Sequence, residues 1–222
     1  MSNNADQPRD PDGRWGKKRA GGVAGAALLA GLMAASGGGG ATTGSVGTAL
    51  ETAGQRAVHA KTMRQSRNAA KRGNERKAWN RMGLRRVRND VKRTLRCSAH
   101  SYGEVQEFFL RHPCETLRQR LFAVGDSEGN IIAVSLMWVT MPSRADVSRL
   151  RRVEDTYGTG DVTPVGTQLL GFGGFRFTGK HYESRRKGSQ FVITETEPVR
   201  GNPSNRVLDD VAVVANLLPA PS

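Results

Sequence analysis

The side chains best suited to chemistry sit close together: Cys97, His100, His112 and Cys114 give the spacing C-x2-H-x11-H-x-C. Two thiolates and two imidazoles are a zinc ligand set by type. The spacing departs from a zinc finger, because one residue separates the last two ligands and an amphipathic stretch fills the gap. The competing readings are free core thiols and a Cys97–Cys114 disulfide. A bridge closing a loop of this size contributes about 3 kcal/mol in the chain-entropy model. An even cysteine count suits that bridge if the domain is exported, and it leaves the two histidines as surface residues beside it. The disulfide is the reading carried forward, with no metal assigned.

Other groups offer less. Gly158-Thr159-Gly160-Asp161 and Gly171-Phe172-Gly173-Gly174 lack the strand-to-helix setting that aims backbone N–H groups at a phosphate, and they read as turns. Asp146, Glu154 and Asp155 on one expected helix, and Glu195 with Glu197 on an expected strand, are carboxylates without a partner base or nucleophile. Lys180, His181, Arg185, Arg186 and Lys187 cluster around an expected hairpin, where an anion could bind but a solvated turn is the plainer reading. No catalytic residue and no cofactor is assigned.

Most of the charge lies elsewhere. Residues 1–50 carry a balance of +2, residues 51–96 carry +12 and residues 97–222 carry zero. This divides the chain into a polar, basic-ended tail (1–19), an uncharged Gly/Ala-rich segment (20–50), a basic helical arm (51–96) and a neutral domain (97–222). Such an arm seeks phosphate backbones, anionic headgroups or acidic polymers. From Leu84 the apolar residues Leu84, Val87, Val91 and Leu95 step by three, four and four, which predicts an amphipathic helix. Arg85, Arg86, Arg88, Lys92, Arg93 and Arg96 would then surround it as contacts to an anionic surface. Gly73 and Gly83 are the expected helix breaks.

Lys17, Lys18 and Arg19 precede the apolar run Ala20–Ala35, an arrangement like a secretory signal or an uncleaved anchor. Gly21-x-x-x-Gly25 and Ala27-x-x-x-Gly31 would let two membrane helices approach closely. The run is mostly alanine and glycine, and the larger basic cluster follows it, against the positive-inside rule. A flexible linker is the competing reading.

The neutral domain predicts a helix over 102–111 with Val105, Phe108 and Phe109 on one face. Strands at 121–124 and 131–141 flank the turn Gly125–Asn130. Ser143 would cap a helix running to about Tyr157, with Val147, Leu150, Val153 and Tyr157 as its stripe. Strands follow near 174–182 and 189–198, then a helix capped at 202–204. The expected fold is α+β, an antiparallel four-stranded sheet in the order α-β-β-α-β-β-α with helices over one face.

The series Cys97, Phe108-Phe109, Pro113-Cys114, then Trp138-Val139-Thr140-Met141-Pro142-Ser143, Gly158-Thr159-Gly160, Phe177-Thr178-Gly179-Lys180-His181-Tyr182-Glu183-Ser184-Arg185 and a terminal Leu208-Asp209-Asp210 resembles a group of uncharacterised actinobacterial proteins. These join a membrane-proximal or low-complexity N-terminus to a domain with this motif order. The resemblance covers roughly residues 97–219 and implies an envelope-associated protein, with no activity, ligand or site residue attached to it. The expectation is a non-enzymatic protein at the cell membrane, its domain extracytoplasmic and its partners an anionic membrane surface and a protein or second copy. The alternative is a soluble, cytoplasmic protein whose arm contacts nucleic-acid phosphates. Trp79 is the arm's one aromatic, so base stacking is poorly supplied.

Overall fold

Good helix formers without proline suit residues 55–71 to the helix that runs from Gly44 to Lys71, and the positive φ of Gly73 and Gly83 breaks the chain at both expected points. The computed structural model describes residues 44–221, apart from 157, 165 and 174. Helix α1 is Gly44–Lys71 and α2 is Glu75–Arg81. Residues 62–221 belong to one compact unit, whereas residues 44–61 fall in another. The apolar run 20–35 lies outside the described residues. Among the described residues, no helix is long and apolar enough to cross a membrane.

Residues 84–95 do not form the expected helix. Arg85–Leu95 is strand β1, paired antiparallel with β2, Thr116–Gly125. Val87, Val91 and Leu95 are four apart, and that step returns to the same face in a strand as well as in a helix. Leu84, the residue whose step of three argued for a helix, precedes the strand and is buried in the core. β-Branched Val87, Val91 and Thr94 favour the pleated form. Two register shifts, between Arg86 and Arg88 and between Arg88 and Val91, each insert one extra residue into β1.

The expected helices and strands follow: α3 Gly103–Arg111, β3 Ile131–Thr140, α4 Arg144–Glu154, β4 Tyr182–Lys187, β5 Gln190–Arg200 and α5 Asn205–Asn216. β1 joins the expected four strands, giving a five-stranded antiparallel sheet in the order β1-β2-β3-β5-β4. β3 is central, as its two apolar faces require. The strand expected near 174–182 forms later. Phe175 and Phe177 alternate as in a strand, yet they lie in a loop packed on Leu121, Ala133 and Leu170. β4 instead uses Tyr182–Lys187, whose charges are tolerated at a sheet edge.

Helices cover both faces of the sheet, not one. Phe122, Val134, Leu136, Trp138 and Val192 pack with Trp79 of α2 and with Leu208, Val211 and Val214 of α5. On the other face Leu117, Met137, Val139, Phe191 and Ile193 meet Val105, Phe108 and Phe109 of α3 and Val147 and Leu150 of α4. The caps are as expected: Ser143 Oγ accepts from Asp146 N (3.1 Å) and Ser204 Oγ accepts from Val207 N (3.3 Å). Tyr157 lies outside the described residues. In the β2–β3 turn, Asp126 accepts from the side chain of Asn130 (2.7 Å) and from the backbone of Asn130 and Glu128. These bonds, the Asn130 side chain's foremost, hold its carboxyl below the ordinary range.

Candidate anion-binding surface

The cysteine–histidine group resolves first. Cys97 and Cys114 form a disulfide, with their Cα atoms 6.3 Å apart, so neither thiolate is free for a metal. His112 packs near the ring of Phe108, with centroids 4.9 Å apart, and His100 ends a short 3-10 turn. Among the described residues, no group of three or more His, Cys, Asp or Glu could hold a metal ion. The bridge lies where β1 leaves and β2 begins, just beyond the Leu95–Leu117 pair. It therefore closes the base of the connection that carries the chain through α3 from β1 to β2.

The carboxylates are occupied in holding the fold. Asp146 accepts from the hydroxyl of Ser143 and pairs with Arg149, each at 2.6 Å. Asp155 pairs with Arg151 at 2.6 Å and accepts from Tyr182 (3.2 Å) and Ser184 (3.1 Å). Glu195 accepts from Gly179 N at 3.1 Å, and Glu197 accepts from Thr178. Burial raises the Glu197 carboxyl above its ordinary range, more than Thr178 and the charges of His181 and Lys180 lower it. Glu195 lines a cleft of about 350 Å³ with Tyr102, Asp161, Thr163 and Phe177. Gly158–Gly160 is a clasp on α3, because Thr159 O accepts from Glu104 N at 2.5 Å. A Cβ on Gly160 would collide with the carbonyl of Tyr102.

The hairpin cluster is split between environments. His181 is buried, with Nδ1 2.8 Å from Asp209 Oδ1 of α5, whereas Lys180, Arg186 and Lys187 are exposed. Arg185 is half-buried against the end of α5.

The six cations expected to meet an anionic surface lie along or just beyond β1. Arg85, Lys92, Arg93 and Arg96 are exposed, and none makes an ion pair among the described residues. The backbone of Arg88 belongs to the strand. Arg86 is different, since Nη1 sits 2.7 Å from Glu75 Oε1 and its guanidinium lies 4.5 Å over the ring of Phe122. Arg120 approaches from β2, 2.6 Å from Glu75 Oε2 and 4.8 Å over the same ring. Burial disfavours the Glu75 charge, but hydrogen bonds from Trp79 and Arg120 and the positive charges of Arg120 and Arg86 outweigh it. The carboxyl therefore titrates below its ordinary value of 4.5. Arg86 is thus a fastener of β1 more than a free contact. Sequence reasoning had no signal for this trio, whose members are brought together only by the fold.

Upstream, Arg64, Arg67 and Lys71 of α1 and Arg76 and Lys77 of α2 are also exposed without ion pairs among the described residues. α2 packs against β1. Comparison with known protein families, curated proteins and solved structures finds no match to this chain.

Proposed function

We propose that this is a non-enzymatic, envelope-associated protein whose basic residues hold a disulfide-bonded α+β body against an anionic membrane surface. One observation carries the reading: the exposed cations of residues 64–96 lack carboxylate partners among the described residues, although the rest of the body is charge-balanced. Each Lys or Arg near an acidic leaflet contributes about 1 kcal/mol, so several suffice for attachment. The Cys97–Cys114 bridge supports an oxidising, extracytoplasmic setting. The uncharged run before the arm would add a second anchor. Nucleic acid is the weaker reading, because Trp79 is fully buried and cannot stack on a base.

Sedimentation of the full chain with vesicles tests this. Retention by phosphatidylcholine vesicles containing phosphatidylglycerol, lost as salt rises, is the expected result. Failure to sediment at low salt, together with both thiols reduced in cells, would overturn it.

A further inference from the structure

A second cationic feature lies away from β1, where the end of α1, β4 and the end of α5 enclose a cleft. Arg67, Lys71, Arg185, Glu183 and Asn216 line one part of it, of about 370 Å³. An adjoining part of about 480 Å³ shares Lys71 and Arg185, adds Lys187, and has Leu217, Leu218 and Pro219 as an apolar wall. Volumes in this range suit a small ligand.

The centre of the cleft is built with care for orientation. Asn216 is 2% exposed, and its Nδ2 donates to Glu183 O (3.1 Å), Val192 O (3.3 Å) and Thr194 Oγ1 (3.1 Å). That fixes its Oδ1 toward Arg185. Arg185 donates from Nη2 to Asn216 O at 2.7 Å and from Nε to Asn216 O (3.1 Å) and Oδ1 (3.2 Å). Two of these bonds cover the Asn216 carbonyl, one of those left open at the end of α5. They explain where the guanidinium sits, but they do not neutralise it. No carboxylate pairs with Arg67, Lys71, Arg185 or Lys187 among the described residues. Burial lowers the pKa of Arg185.

We infer that this cleft binds a phosphomonoester whose uncharged part lies along Leu217, Leu218 and Pro219. A guanidinium fixed in orientation, with exposed Lys and Arg side chains around it, matches a compact dianion better than a single carboxylate. The apolar wall calls for more than inorganic phosphate. The phosphate could be a lipid headgroup or a soluble phosphate ester. The choice of a lipid rests on the anionic-surface reading above, and the cleft itself does not.

The test uses the full chain, disulfide intact. Titration calorimetry with dihexanoyl phosphatidic acid should give saturable binding, stronger than with glycerol 3-phosphate and stronger still than with inorganic phosphate. The substitutions R67Q, K71Q and K187Q together remove three exposed cations and should weaken it about tenfold or more. R185Q should do the same, and the triple variant decides the matter should R185Q fail to fold. A second triple, R85Q with K92Q and R93Q, should leave this binding unchanged while lowering retention on phosphatidylglycerol vesicles. Equal binding of glycerol 3-phosphate would assign the site to soluble esters and remove the role of the apolar wall. No saturable binding, or binding that survives the cleft substitutions, overturns the inference and leaves the surface reading standing. Saturable binding without retention on any acidic vesicle does the reverse.

Discussion

β1 and α5 both carry apolar residues four apart, Val87, Val91 and Leu95 in the strand and Val207 and Val211 in the helix. α5 adds steps of three, from Leu208 to Val211 and from Val211 to Val214, which only a helix places on one face. It also has a local start signal in Ser204. β1 has neither. Its conformation is imposed by partners far along the chain: the β2 ladder, the Arg86–Glu75–Arg120 trio and the disulfide at its exit. One element is specified by its own residues, the other by its surroundings.

That contrast can be broken first at Trp79, which is fully buried between α2 and the sheet, 6.1 Å from the ring of Phe122. Trp79→Ala should cost about 3–5 kcal/mol in chemical denaturation. Hydrogen exchange should show β1 losing protection before α5 does. Next in size is the bridge. Replacing Cys97 and Cys114 together by serine should lower stability by about 3 kcal/mol, with exchange rising in β1 and β2 but not in α5.

Glu75→Gln leaves two partly buried guanidinium groups without their shared carboxylate and should cost about 2 kcal/mol at neutral pH. Because the carboxyl is held below 4.5 when folded, its stabilisation is complete above the unfolded value and lost as pH falls through the lower folded one. The gap between wild type and E75Q should therefore close on acidification below about pH 4.5, and a constant gap would contradict the trio. Smallest is Ser204→Ala, at about 1 kcal/mol, with protection lost only in the first turn of α5.

Local rules account for what was legible in advance. Helices α3, α4 and α5 carry caps or stops beside their apolar stripes, and the β2–β3 turn carries Asp126 and Asn130. β3 declares itself central by having two apolar faces. β1 was not legible, because a spacing of four satisfies both periods and its deciding partners lie beyond any local window. Phe175 and Phe177 misled in the opposite way, alternating like a strand while packing from a loop. Of the candidate surface, the excess charge of residues 51–96 was plain from composition. Which cations stay free was not, since that depends on where the single carboxylate of Glu75 ends up. The cleft was hidden for the same reason: nothing local marks Asn216 as the residue that aims Arg185.

Both outer strands of the sheet, β1 and β4, are studded with cations: Arg85, Lys92 and Arg93 on one, Arg186 and Lys187 on the other. Two copies meeting rim to rim would therefore repel, and neither rim invites the intermolecular ladders that lead to fibrils. Polyanions that mask these charges remove the same safeguard. A dense coat of the protein on an acidic support is where self-association should first become visible.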